Sequence, residues 1–407
     1  MSIQVLSETG LLRGVITHTP GREVSMVTPE IKDKLLFDDI IYEEDARNEH
    51  LQMLQIIKTA LPDIDLIEVT DLFTEAFEQP DAKEYYIERL IENFPELNIY
   101  PVKKDLLDLP AESLTKLSVT GQTPELKKFR MLPIPNLLFT RDLAAVVGKN
   151  MVISRAAMKA RVRESYLMDT VVRFHPMYEG IRDSVIRIPK SDSIEGGDVL
   201  TASEEVAIIG MSERTSFSGV RRAADELLQR NMKEVLIVDI PKQRASMHLD
   251  TIFTFCDENE CVVYPPTIIE RGENVVSLKK HEEHVVSVLK PSLKQALEES
   301  LEREFTFIKC GGDDLISQQR EQWSDGANHF ALAPGVVIGY ERNINTFREM
   351  EKYGYSIVAG RDFIRRYSDG SFDIKNAGKM VITFEGKELC RGRGGARCMT
   401  QPFMRDA

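Results

Sequence analysis

What this 407-residue chain lacks narrows its class before any motif is read. Cysteine is scarce: Cys256, Cys261, Cys310, Cys390 and Cys398 are odd in number and unevenly spaced, which argues against a disulfide framework and fits a reducing compartment. No stretch approaches the roughly 20 apolar residues needed to cross a bilayer. The opening Met1-Ser2-Ile3-Gln4-Val5 lacks a charged-then-apolar export signal, so a cytoplasmic protein is expected. Runs of like charge, low-complexity tracts, heptads and strict internal repeats are also missing. Glycine pairs occur without phosphate-loop context: Glu195-Gly196-Gly197-Asp198 has no following Lys-Ser or Lys-Thr, and Gly392-Arg393-Gly394-Gly395 has neither that nor a dinucleotide fingerprint. Nucleotide binding is therefore not expected. A net charge of −13 disfavours nucleic acid and acidic membranes as partners and modestly favours a cationic small molecule.

What is present reads as a globular α/β protein, with 42% hydrophobic and 29% charged residues and enough length for a large core. Short β-branched runs predict strands at 12–18, 151–155, 185–189, 206–211, 235–239, 261–265, 305–309, 331–340 and 380–384. Helical spacing predicts helices at 45–61, 218–228 and 293–301 between them. From 73 to 130 the texture changes to helical patches at 82–93, 104–109 and 124–129 joined by Pro and Gly, which reads as a helical insertion.

The reactive residue types concentrate in four places. Cys398 follows a glycine turn beside Arg391, Arg393 and Arg397, cations that favour the thiolate. His248 and Asp250 are two apart, so an extended segment would turn both side chains to one side, a proton acceptor beside a cation holder. Glu195 and Asp198 flank a glycine pair that lets backbone pass close to another element while the acids point into a cleft. Asp142 follows the turn-prone Pro133-Ile134-Pro135-Asn136. Singly, each has a plainer reading: a small core thiol, a satisfied histidine beside a helix cap, an ordinary glycine turn, a solvated turn aspartate. His281 and His284, read on a solvated helix, and Cys256 and Cys261, read on a strand pair, match no zinc spacing, so no metal is expected.

Taken in order, these motifs resemble the arginine deiminase family of pentein-fold guanidino-modifying enzymes. The resemblance also takes in Ser7-Glu8-Thr9-Gly10-Leu11-Leu12-Arg13, His18-Thr19-Pro20-Gly21, Leu35-Leu36-Phe37-Asp38-Asp39, Arg320-Glu321-Gln322-Trp323-Ser324-Asp325-Gly326-Ala327-Asn328 and Ala333-Pro334-Gly335. It implies one catalytic domain over 1–407, a pentein α/β propeller of five ββαβ-like modules around a pseudo-fivefold axis, with 73–130 as the helical insertion. It further implies Cys398 as nucleophile, His248 as general acid and base, Glu195 as its partner, and Asp142 and Asp250 as guanidinium clamps. Arg161 and Arg214 would hold the substrate carboxylate, with Asn136, Phe139 and Arg393 as further pocket residues. The implied reaction converts L-arginine to L-citrulline and ammonia through a covalent thiouronium, with neither metal nor organic cofactor, in a homodimer or higher assembly.

The chain departs from the family pattern at Leu143, where proline is common, and at Phe347, where asparagine often follows the threonine. Arg397 stands at a position that varies among relatives. Competing readings are a deiminase or hydrolase of agmatine or methylated arginine, an amidino transferase, and a catalytically silent arginine-binding protein.

Overall fold

The computed structural model describes residues 3–94, 102–127, 129–230, 232–272, 274–281 and 284–406. Its strands form five separate sheets, and each contains the same unit: a first strand antiparallel to a second, which runs parallel to a third beyond a helix. Ala144–Val147, Asn150–Ile153 and Val185–Arg187 make one unit, with helix Val162–Phe174 in the crossover. Val199–Thr201, Val206–Met211 and Glu234–Asp239 make the next, around helix Phe217–Arg230. Phe253–Asp257, Glu260–Val263 and Thr306–Lys309 follow, around helix Leu293–Leu301. Phe330–Ala333, Val336–Tyr340 and Met380–Phe384 follow in turn, around helix Ile344–Glu351. The fifth unit joins both ends of the chain: C-terminal Gln401–Arg405 pairs antiparallel with Leu12–Thr17, which runs parallel to Asp65–Glu68. Helices fill the crossovers because parallel strands cannot be joined by a tight hairpin.

The units touch in cyclic order. Ala144–Val147 contacts Val199–Thr201, the turn at Gly196–Asp198 contacts that at Leu249–Thr251, Phe253–Asp257 contacts Phe330–Ala333, and Gln401–Arg405 returns to Ala144–Val147. Strands such as Ala144–Val147, Val199–Thr201 and Phe330–Ala333 are buried along their whole length. Covered on both faces, they show continuous apolar runs rather than alternation.

Several expectations meet their outcome here. The run at 331–340 is two strands folded back at Pro334-Gly335, where Gly335 has φ +75°. Residues 124–127 form turns rather than a helix, and Lys128 lies outside the described residues. The segment around His281 and His284 is a hairpin, not a solvated helix: Val275–His281 pairs with His284–Lys290 and extends the sheet of Glu234–Asp239, and Glu282 and Glu283 lie outside the described residues. Cross-strand bonding along Val275-Val276-Ser277-Leu278 decided the matter, since lysine and histidine on an exposed strand end cost little. Between Asp65–Glu68 and Ala144–Val147 lie helices Val69–Phe77, Pro80–Asn93, Val102–Leu107 and Ala111–Thr120. Residues 95–101 of that stretch are outside the description. No helix among the described residues is long and apolar enough to cross a membrane.

Candidate active site

In each unit the residues just ahead of the first strand turn toward the same place. Asp142 lies in the turn Thr140–Leu143 before Ala144, and Glu195 precedes the turn Gly196–Asp198. His248 precedes the turn Leu249–Thr251 that holds Asp250, Asn328 stands before Phe330, and Cys398 before Gln401. A repeated backbone thus converts positions scattered along the chain into neighbours.

One cavity is lined by Asp142, His248 and Cys398 together with Asn136, Phe139, Arg161, Arg214 and Arg393. Glu195 and Asp250 adjoin the lining, Glu195 against His248 and Asp250 against the Cys398 sulfur. His248 Nε2 meets Glu195 Oε2 at 2.9 Å, while its Nδ1 lies 3.7 Å from Asp142 Oδ1. Cys398 Sγ lies 3.6 Å from Asp250 Oδ2. The extended reading of His248 and Asp250 fails because the backbone turns between them, sending the histidine to the cavity and the aspartate behind the thiol.

The close approach depends on two glycines. A Cβ at Gly197 would lie 2.8 Å from His248 Cγ and Nδ1, and one at Gly394 would lie 2.4 Å from the Phe139 ring and 3.1 Å from Cys398 Cβ. Gly197 N also donates to Asp142 Oδ1 at 3.1 Å. Its neighbour Asp198 does not face the cleft as expected. Fully buried, its carboxylate accepts from Ser212 Oγ and Thr215 Oγ1, each at 2.6 Å, and from Leu249 N at 2.8 Å, so it ties three turns together.

The arginines are held to different degrees, and Arg214 and Arg393 keep unpartnered donors. Arg161 Nη1 donates to Asp142 Oδ2 at 2.5 Å and approaches Glu195 Oε2 at 3.4 Å, while its Nε and Nη2 hold Glu164 Oε2 at 2.9 and 2.8 Å. Arg214 Nη1 lies 4.0 Å from Glu195 Oε2, and its buried Nε has no hydrogen-bond partner. Arg397 bridges Asp250 Oδ2 at 2.9 Å and both Glu8 oxygens at 3.1 Å. Arg393, with φ +65°, lays its guanidinium 3.4 Å from the centre of the Trp323 ring. Arg391 is not among the lining residues and pairs with Asp39 and Glu388.

Arg397 favours the Cys398 thiolate, as expected of a neighbouring cation, but burial and the acids outweigh it. Burial pushes the thiol well above its ordinary range, and the charges of Asp250, Asp142 and Asp325 push the same way. Arg397 opposes them, but its charge is already shared with Glu8 and Asp250. Burial would lower His248, but the Asp142 charge and the Glu195 hydrogen bond outweigh it and raise the imidazole to about 9. Burial would raise Glu195, but the bond from His248 and the charge of Arg161 outweigh it and bring the carboxyl to about 2. The resting site therefore pairs a thiol with an imidazolium.

Asp142, Glu195 and His248 bring their ligand atoms within 4.8 Å of one another, a spacing that could hold a metal ion. The Arg161 guanidinium, in contact with two of the three, already supplies a cation there.

Sequence reading assigned no role to three buried residues that shape the site. Asn328 Oδ1 accepts from Cys398 N at 3.0 Å while its Nδ2 donates to the Asp250 carbonyl at 2.8 Å, which fixes the nucleophile's backbone. Glu8 anchors Arg397. Asp325, raised to about 7 by burial against the lowering charge of Arg393, has neither carboxyl oxygen partnered. All three fall in segments that carried the family resemblance, which was the available signal. Of the two departures, Leu143 is a buried core residue whose carbonyl accepts from Ser154 N at 3.2 Å, and Phe347 packs inside, its ring 5.9 Å from that of His329.

The chain has relatives among known proteins. A family described as "Arginine deiminase" matches residues 33–405. An arginine deiminase of Listeria monocytogenes is 34% identical over 100% of this chain and 98% of its own length. Among solved structures, a mutant of dimethylarginine dimethylaminohydrolase from Pseudomonas aeruginosa complexed with citrulline is similar over 97% of this chain and 100% of its own, with TM-score 0.53 and 16% identity. An amidinotransferase from Microseira wollei is similar over 100% and 98%, with TM-score 0.56 and 11% identity. At such identities the structural likenesses establish the pentein fold, which hydrolases and transferases share, whereas the full-length sequence match chooses among them: the chain belongs to the arginine deiminase family.

Proposed function

We propose that this chain hydrolyses L-arginine to L-citrulline and ammonia with Cys398 as nucleophile. The observation that carries the reading is the meeting of Cys398, His248 and Asp142 in one cavity, with Glu195 bound to His248 and Asp250 against the sulfur. The guanidinium carbon is a poor electrophile because resonance spreads its charge over three nitrogens. Carboxylates on its N–H groups fix its plane for attack, and Asp142 and Asp250 fill that role as Arg161 and Arg397 yield or share their contacts.

A cation arriving there offsets the acids that raise the thiol, so Cys398 loses its proton to solvent as substrate binds. The thiolate adds to the guanidinium carbon. His248, held protonated by Glu195 and Asp142, transfers its proton to the departing amino group, the C–N bond breaks and ammonia leaves. The neutral imidazole then takes a proton from water as its oxygen adds to the thiouronium carbon. Collapse of this adduct breaks the C–S bond, giving citrulline and restoring the thiol. Every proton step uses groups of the chain and water.

Arg214, with a donor to spare, and Arg161, once released, suit the substrate's α-carboxylate and favour arginine over agmatine. The reading takes the chain as one catalytic unit with 73–130 as an insertion, acting in the cytoplasm as a homodimer or higher assembly. It is tested by mass spectrometry of arginine-treated His248→Ala protein, where an adduct is expected on Cys398, alongside assays of citrulline and ammonia from arginine, agmatine and methylated arginine. Binding of arginine without turnover, unchanged in Cys398→Ala, would mean a silent binding protein. Ornithine formed with an added acceptor amine would mean amidino transfer.

A further inference from the structure

A second pocket, about 570 Å³, lies between the segments around Lys34, Phe94, Met131 and Lys159, and the proposed reaction uses none of it. Four cations line it, Lys34, Arg130, Lys159 and Arg163, and among the described residues no carboxylate does, in a chain whose net charge is −13. Their partners among the described residues are neutral. Lys159 Nζ lies over the Phe94 ring, 5.4 Å from its centre. Arg130 reaches only the Phe129 carbonyl, at 3.5 Å.

Arg163 is the informative member. It is 4% exposed, its Nη1 meets Met131 Sδ at 3.4 Å, its Nη2 meets the Leu132 carbonyl, and its Nε has no hydrogen-bond partner. Glu164, next in sequence, bonds Arg161. A buried guanidinium whose hydrogen-bond partners are all neutral, with only the charge of Glu164 acting on it, is an unfavourable arrangement that an anion improves. Phe94, Met131 and Leu132 supply apolar wall beside the charge, and Leu132 is 47% exposed at the mouth.

We propose that this pocket binds a small amphipathic anion, its carboxylate or phosphate group held by Arg163 with Lys34, Arg130 and Lys159, its apolar body against Phe94, Met131 and Leu132. The site is separate from the catalytic cavity yet shares two backbone segments with it. Lys34 and Leu35 lead to Leu36, and Lys159 and Ala160 lead to Arg161, both of which line that cavity.

The test is calorimetric titration of the intact protein at low ionic strength with phenyl phosphate and benzoate, and with inorganic phosphate and phenol as separate arms. One amphipathic anion is expected per chain, bound more tightly than phosphate or phenol and weakened by added salt. The two amphipathic arms tell whether a phosphate or a carboxylate head is preferred. Lys34→Glu with Lys159→Glu should weaken binding by at least about tenfold while leaving arginine turnover near wild type. Arg163→Met, which removes the buried charge, should do the same to binding. Saturating citrulline should leave binding unchanged. Absence of binding, equal binding by the charge-reversed protein, displacement by citrulline, or inorganic phosphate binding as tightly as phenyl phosphate would each overturn the proposal.

Discussion

Gly197→Ala tests whether the catalytic geometry rests on backbone contact. The new Cβ would stand 2.8 Å from His248 Cγ and Nδ1 and 2.9 Å from Asp142 Oδ1. Reaching ordinary carbon contact requires a shift of roughly 0.7 Å or more. Neither neighbour has room to give: the imidazole is tied to Glu195 at 2.9 Å, and Asp142 is held by Arg161 at 2.5 Å. Overpacking of this kind destabilises by about 1–3 kcal/mol. Displacing an acid–base group by approximately 1 Å can slow a reaction about 100-fold. We expect kcat for citrulline formation to fall roughly 10- to 100-fold, with the protein still folded by circular dichroism. Gly180→Ala is the control, because nothing lies within 4 Å of a Cβ there. A folded Gly197→Ala enzyme with kcat within about twofold of wild type would refute the reasoning, since the barrier would then be insensitive to where His248 sits.

Arg214→Ala should raise KM for arginine by about 10- to 100-fold, the worth of one charge-assisted hydrogen bond, and leave any activity on agmatine unchanged; equal losses on both substrates would remove Arg214 from carboxylate recognition. Glu195→Gln should lower the pKa of His248 from about 9, so the alkaline limb of kcat/KM moves to lower pH, and an unmoved limb would show that Glu195 does not hold the imidazolium. The same pair predicts stability against pH. The raised His248 contributes fully below its unfolded value near 6.5 and is lost as pH rises through about 9, whereas the lowered Glu195 contributes above its unfolded 4.5 and is lost as pH falls through about 2. Chemical denaturation should therefore show this contribution level between the unfolded values of 4.5 and 6.5, declining toward about 9 on one side and about 2 on the other. Asp198→Ala strands two hydroxyls and one N–H and should destabilise by about 2–4 kcal/mol, measured by urea unfolding; a loss below about 1 kcal/mol would mean that water replaces the carboxylate.

Strand positions such as 206–211 and 380–384 were legible because dense β-branched runs coincide with buried strands. Val199–Thr201 and Ala144–Val147 were not, although strands as short at Val185–Arg187 and Asn150–Ile153 were. The hairpin around His281 was hidden by its polar end, and only pairing with Glu234–Asp239 made it a strand. In the site, residue types announced themselves at Cys398, His248 and Asp142, while Asn328 acts through an amide that looks like any turn residue in sequence. The charge state of Cys398 was open in the sequence because it depends on burial and on the acids packed around the sulfur as much as on the neighbouring arginines, of which Arg391 pairs with Asp39 and Arg393 stacks on Trp323.

The sequence by itself determined the chemical inventory, one thiol among glycines and arginines with one imidazole and three acids in a recognisable order, because reactivity belongs to residue types and order survives in the chain. The tertiary structure decided which of these meet, which acid is held by which arginine, and whether the thiol carries charge. Those depend on burial and on distances of a few ångströms between segments from opposite ends of the chain, brought together by five repeated units whose turns face one centre, and no local pattern encodes them.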